Sequence, residues 1–127
     1  MKIIVTGGRD YKDKARVFEF LDRLKPTQVV HGGCATGVDS FADQWARKRN
    51  VHCRVYKALW NKFGRSAGPL RNGEMLENEI DGLFAVVAFR GGKGTKDMVS
   101  KVLAGEAGLI DADEYWGGDS PPRGEPT

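Results

Sequence analysis

The run Phe84-Ala85-Val86-Val87-Ala88-Phe89 passes directly into Arg90-Gly91-Gly92-Lys93-Gly94-Thr95, and no other stretch narrows the choice of fold so far. A continuous apolar run rich in valine and aromatics reads as a strand buried on both faces. It stops in three glycines within four residues, followed by Thr95, a residue type that caps helices. Met98, Val99, Val102 and Leu103 then recur at helical spacing. Strand, glycine loop and helix start together aim main-chain N–H groups and a helix N-terminus at an anion, commonly a phosphate. A Cβ in such a loop would block close approach of the ligand. Many strand-to-helix turns use glycine with no ligand, so the other turns of the chain decide how much this one means.

Two of them repeat the pattern. Lys2-Ile3-Ile4-Val5-Thr6 runs into Gly7-Gly8-Arg9-Asp10, and Gln28-Val29-Val30-His31 runs into Gly32-Gly33-Cys34-Ala35-Thr36-Gly37. Between them, residues 13–24 place Val17, Phe20, Leu21 and Leu24 on one helical face, and Pro26 ends that helix. Val38, Phe41, Ala42, Trp45 and Ala46 define a second helix, and residues 52–56 a third strand. A longer connection spans 57–69, residues 70–80 read as a helix, and 108–110 as the start of a short fifth strand.

Strand and helix alternate four to five times, which predicts an α/β, Rossmann-like three-layer fold with a parallel sheet and right-handed crossovers. The expected strand order is 3-2-1-4-5, with the switch point between the first and fourth strands. Ligands of such sheets sit outside the carboxyl ends of the strands at that point. All three glycine turns would meet there.

A chain of 127 residues with 40% hydrophobic and 29% charged residues is expected to form one domain with its own core. We place that domain at 1–110 and read 111–127 as an acidic, Pro/Gly-rich tail whose composition predicts disorder. Five acids and one arginine give the tail a net charge of −4; of the total of +3, that leaves +7 on residues 1–110. The balance suits an anionic ligand and falls short of the basic stripe of a dedicated duplex binder. No apolar run approaches the roughly 18 residues of a membrane span, and a strand begins by residue 2 with no signal peptide before it. Two cysteines, Cys34 and Cys53, supply neither a disulfide framework nor a CxxC metal site. The expected setting is the cytoplasm, with no cofactor, no metal and no membrane partner.

Arg9, Arg90 and Lys93 bring positive charge beside the glycine-freed amides. The connection from Lys57 to Asn72 holds four cations, no acid, and the aromatics Trp60 and Phe63. Arginine and lysine bind phosphate, and an aromatic either stacks on a base or simply buries the loop. Arg71 is read as opening a helix, where a cation opposes the dipole and is better explained by a ligand. A nucleotide-like small molecule satisfies both halves of this inventory.

The residues resemble a known group. Gly32-Gly33-Cys34-Ala35-Thr36-Gly37-Val38-Asp39 looks like the glycine loop and helix of the Smf/DprA proteins. Arg90-Gly91-Gly92-Lys93-Gly94-Thr95 looks like the PGGxGT loop of the Lonely Guy (LOG) phosphoribohydrolases, with Arg90 in place of the proline. With Gly7-Gly8-Arg9-Asp10 and Ala67-Gly68-Pro69-Leu70-Arg71-Asn72, the pattern is similar to the YspA-like branch of the SLOG superfamily across about residues 1–110. The resemblance implies a nucleotide derivative bound by Gly7, Gly8, Arg9, Asp10, Gly32, Gly33, Thr36, Gly37, Asp39, Arg71, Asn72, Gly91, Gly92, Lys93, Gly94 and Thr95, in a homo-oligomer, most simply a dimer.

It leaves three functions open: a nucleotide-binding sensor or sequestering module, a LOG-like hydrolase of the N-glycosidic bond, and DprA-like binding of single-stranded DNA. For the hydrolase, Arg71 falls at the LOG arginine, but the LOG glutamate position is Met98 here. Asp97, one residue earlier, is turned by about 100° on a helix, so it is a catalytic candidate only if it still reaches the site; Glu74 and Asp39 are the other carboxylates. Outside these, His31 reads as a packed histidine, His52 as surface and Trp45 as core. Cys34 near a helix N-terminus has no base identifiable beside it.

Overall fold

The computed structural model describes residues 1–113; the tail from 114 onward lies outside the described residues. Five parallel strands, β1 (Lys2–Thr6), β2 (Gln28–His31), β3 (His52–Val55), β4 (Leu83–Ala88) and β5 (Leu109–Asp111), form one sheet in the order β3-β2-β1-β4-β5. That is the expected Rossmann-like order. Helices α1 (Lys14–Leu24) and α2 (Gly37–Arg49) cover one face, and α4 (Ala67–Glu79) and α5 (Lys93–Ala104) the other. The long connection after β3 holds a four-residue helix α3 (Trp60–Phe63) and a 3-10 turn (Gly64–Ser66).

The period-two alternation of strands sends neighbours to opposite layers. Ile3, Val5, Val29 and Val87 pack with Val17, Phe20, Leu21, Val38 and Trp45 on the α1/α2 side. Ile4, Val30 and Val86 pack with Met75, Met98 and Val102 on the α4/α5 side. Trp45 is core as expected, with its indole N–H on Asp22 at 2.9 Å. His31 is buried as expected.

Four local readings change. In β4, Lys2 pairs with Leu83 and Ile3 with Ala85, so the register skips Phe84. Its ring is left 52% exposed while Ala85 to Phe89 are buried. Helix α5 begins at Lys93 with Gly92 at its N-cap, so Thr95 lies inside the first turn, buried, and caps nothing. Helix α4 starts at Ala67 with Pro69 in its first turn, where a missing N–H costs nothing. Arg71 is therefore in the second turn, and the dipole argument for it lapses. The folded body also runs beyond residue 110: Asp111 closes β5, Ala112 is in the core, and the Asp113 carboxylate accepts from the Tyr11 hydroxyl at 3.0 Å.

At the carboxyl edge, close approach dictates glycine. Gly37 has φ +74, and a Cβ there would lie 2.1 Å from the Gly8 carbonyl oxygen. Gly37→Ala is expected to cost about 3 kcal/mol or more, from left-handed strain plus overpacking. Gly73→Ala, where a Cβ meets Lys101 at an ordinary 3.6 Å, is expected to cost nothing and to gain up to about 1 kcal/mol of helix propensity. Denaturant unfolding of the two variants measures the contrast.

At the opposite end of α4, Glu79 is 1% exposed. It accepts hydrogen bonds from Tyr56 Oη at 2.7 Å, Arg54 Nη1 at 2.9 Å and Lys2 Nζ at 3.0 Å, tying α4 to β3 and to the start of β1. Burial pushes this carboxyl up, but the three hydrogen bonds outweigh it and the net shift is downward. The native state thus binds this proton less readily than the unfolded chain. Glu79 contributes stability above the unfolded value near about 4.3 and loses it as pH falls through the folded one. Stability measured by unfolding from pH 7 to 3 should decline below about pH 4.3. Glu79→Gln should flatten that decline and cost about 1–2 kcal/mol at pH 7, because glutamine keeps one acceptor and the half-exposed Arg54 regains water.

Candidate functional site

Main-chain hydrogen bonds sew the three glycine turns together at the carboxyl ends of β1, β2 and β4. Gly8 donates its N–H to Arg90 O at 2.9 Å, and its carbonyl accepts from Val38 N at 3.2 Å and Tyr11 N at 3.3 Å. Thr36 Oγ1 donates to Arg9 O at 2.9 Å. Gly8 and Gly91 are pressed backbone to backbone, so that a Cβ on Gly91 would fall 2.6 Å from Gly8 N. These contacts account for Gly8, Thr36, Gly37 and Gly91 as scaffold. Gly32 belongs with them: it is buried beneath the Arg71 guanidinium. Gly33 closes against Val55 and Lys57.

A cleft of about 300 Å³ opens between the turns. Of the expected residues, Gly7, Arg9, Asp10, Asp39, Arg71, Asn72, Gly92, Lys93, Gly94 and Thr95 line it, joined by Thr6 and Cys34. Thr6 escaped the sequence reading although it ends a strand at the rim. Gly8, Gly32, Gly33, Thr36, Gly37 and Gly91 stand behind the lining; Gly8 and Gly91 reach a neighbouring hollow with Tyr11, Arg16 and Arg90. Glu74 lies well away, in a broad groove between α4 and α5 that also holds Leu70 and Ile80.

The two sides of the cleft differ in kind. One is the start of α5. No side chain among the described residues caps this helix, so the N–H groups of its first turn keep their donor capacity. A Cβ at Gly92 or Gly94 would meet nothing within 4 Å, and Lys93 stands exposed between them. Here the protein's own packing gives no reason for glycine. The other side carries Asp39, 8% exposed, whose carboxylate accepts from Cys34 N at 3.2 Å. Burial pushes Asp39 above the usual carboxylate range, against the lowering pull of His31, the Cys34 and Gly32 amides and Arg71.

Arg71 and Asn72 join the two sides. Arg71 Nη1 donates to the carbonyls of Gly32 and Tyr56, and Nε donates to Asn72 Oδ1 at 2.9 Å. Burial pulls the guanidinium below its ordinary value, with Asp39 and Asp97 pulling back. Asn72, 2% exposed, donates from Nδ2 to Gly94 O at 3.1 Å and to Asp97 Oδ2 at 3.0 Å. Asp97 thus stands behind Asn72 and does not line the cleft. Lys101 Nζ holds both of its oxygens at 2.7 and 2.8 Å. Burial pushes Asp97 up, but the hydrogen bonds from Lys101 and Asn72 and the nearby positive charges bring it below its usual value. It is a braced anion.

The fold also assembles a cluster that the sequence did not reveal, because its members come from three elements. His31, Asp43 and Cys53 offer ligand atoms within 4.8 Å of one another. Gly33 N–H donates to His31 Nδ1 at 3.0 Å, which places the ring proton on Nε2, facing Asp43 Oδ1 at 2.9 Å. A metal on Nε2 would require that proton on Nδ1, where an N–H already points. The cluster is better read as hydrogen-bonded packing. Burial and the Asp43 charge push the Cys53 thiol up to about 12.

Comparison with known proteins agrees with the motifs. Residues 1–63 match the family model described as YspA, cpYpsA-related SLOG family. The gene 61 protein of Mycobacterium phage D29 is 39% identical over 90 residues, which cover 63% of this chain and 71% of that protein. The chain belongs to the YspA, cpYpsA-related SLOG family. Membership in this SLOG family supports a nucleotide-related role in general terms. No solved structure matches this SLOG chain. Among the described residues no helix is long and apolar enough to cross a membrane.

The two cysteines should part in reactivity. Cys34 lines the cleft, whereas Cys53 is held as a thiol beside Asp43. Iodoacetamide at pH 8 should alkylate Cys34 in the native protein and spare Cys53, with both labelled after unfolding, as read by peptide mass spectrometry.

Proposed function

We propose that this protein binds a nucleotide or nucleotide derivative in the cleft, as a sensor or sequestering module. The supporting observation is the start of α5: a helix N-terminus without a side-chain cap, flanked by two glycines that internal packing does not require, opening onto Lys93 and Arg9. An anionic group placed there would accept from the first-turn amides and gain from the helix dipole. Arg71 would contribute charge from the far side while its hydrogen bonds keep it fixed. Pairing into a dimer and a cytoplasmic setting belong to the same proposal; the first rests on the family resemblance and the second on the sparse cysteines of the sequence.

A LOG-like N-glycosidase is the second reading, favoured by Arg71 in the cleft wall. It needs a carboxyl that can exchange a proton against the scissile bond. Asp97, turned from the cleft and paired with Lys101, does not meet that need, Glu74 lies in another groove, and Asp39, raised by burial in the lining, is already engaged by the amides of its own loop, so we rank binding first. Single-stranded DNA binding would draw on Trp60 and Phe63, 52% and 41% exposed.

Arg71→Ala is a poor test, because it also removes the contacts holding Gly32 and Tyr56. Gly94→Ala is cleaner. Its Cβ has free space within the protein, so thermal stability should hold or rise slightly, while affinity for AMP or NAD in calorimetric titration should fall at least about tenfold. Equal affinity in the variant, or no heat from wild type at millimolar nucleotide, would overturn the reading. Chromatographic detection of free base after incubation with wild type would promote the glycosidase.

A further inference from the structure

The side of α4 that faces away from the cleft is unfinished. Pro69, Leu70, Gly73, Glu77 and Ile80 recur at helical spacing and form one stripe. The stripe is one wall of a groove of about 1050 Å³, whose other wall runs from Lys101 and Val102 to Ala107. Leu70 and Ile80 are 51% and 40% exposed. Apolar side chains gathered in a groove with a charged rim mark an interaction surface. Gly73 lies mid-stripe, where a Cβ would meet only Lys101 at 3.6 Å. Packing within the chain does not call for glycine there, and its small size keeps the groove open.

The rim decides what fits. Arg65 stands at the N-terminal end of the stripe, Glu74 and Glu77 toward the C-terminal end, and Glu106 on the other wall. All four are exposed, and none has an ion-pair partner among the described residues. The occupant must offer an acid at one end, a cation at the other and apolar side chains between. An anionic lipid surface would meet three glutamates here. The segment after Asp113, with three acids to one arginine, carries the wrong sign too. The stripe itself, reversed, carries the right one.

We propose that a second copy of this chain docks in the groove, α4 antiparallel to α4 across a two-fold axis near Gly73. Each stripe then lies in the other copy's groove, over about 20 Å of helix. Arg65 of each copy faces the Glu74 and Glu77 end of the other, and Leu70 and Ile80 of both are covered. The interface is isologous, so every contact is made twice. Arg71 and Asn72, which line the cleft, fall on the opposite side of α4, so pairing leaves the cleft open. This inference deepens the pairing proposed above by naming its surface.

Sedimentation velocity of the full chain tests it. Wild type should pair at about 100 μM, and Leu70→Asp should weaken pairing about tenfold or more, the effect of leaving one leucine unburied. An acid near a helix N-terminus suits the dipole, so the circular dichroism of this variant should match wild type. Charge reversal reads the geometry. Arg65→Glu and Glu77→Arg should each pair poorly alone, because like charges then meet across the axis. Mixed in equal amounts they should pair with each other, since antiparallel docking sets each reversed charge against its complement. Full pairing by Leu70→Asp, or a mixture no better paired than its components, would overturn this inference and leave a dimer through another face. A wild type that stays single at this concentration would overturn the inference and the pairing together. The nucleotide reading of the cleft is decided separately, by titration.

Discussion

The peptide of Gly8 holds the carboxyl edge together. Its N–H goes to the loop after β4, and its carbonyl takes N–H groups from the first turn of α2 and from Tyr11. Three crossovers are thereby fixed to one main-chain unit, with nothing longer than a peptide between them. Such closeness leaves no room for side chains: a Cβ on Gly37, Gly91 or Gly7 would lie 2.1 to 2.4 Å from a neighbouring atom. The cleft exists because these turns are bolted together beneath it and not merely near one another.

Two populations of glycine follow. Those that stitch the turns face protein, and their identity is explained by packing. Gly92 and Gly94 face open space, in a helix start where glycine is a poor choice on propensity alone. A protein indifferent to what entered there would be more stable with alanine at Gly94. The sequence writes both kinds with the same letter, which is why the motifs predicted sixteen contact residues and the fold places six of them behind the lining. Only coordinates separate a glycine that lets backbone meet backbone from one that lets a ligand meet backbone.

Much of the architecture was legible in advance. Apolar runs of four to six residues ending in glycine, alternating with amphipathic segments, left little besides a parallel sheet, and the strand order came with it. What escaped was set by tertiary register. Phe84 looks like the first buried residue of β4, but a one-residue slip against β1 turns it outward. Arg71 looked misplaced at a helix start, because nothing in Ser66-Ala67-Gly68-Pro69 announced that the helix begins before the proline. The His31–Asp43–Cys53 cluster was invisible for another reason: its members are far apart in sequence and meet only because β2, β3 and α2 pack as they do.

The position of Asp97 shows how such a fold separates bracing from chemistry. One helical residue from the place where related hydrolases keep a glutamate, its carboxylate turns away from the cleft and into Lys101 and Asn72. Asn72 in turn holds the Gly94 carbonyl and the Arg71 guanidinium. The negative charge fixes the amide, the amide fixes the loop and the arginine, and the first-turn N–H groups of α5 are thereby oriented. An acid spent on that chain is ionised and immobile, the opposite of a group meant to shuttle a proton. Asp39, by contrast, lines the cleft on the other side, its carboxylate held by the Cys34 amide and pushed above the usual carboxylate range by burial.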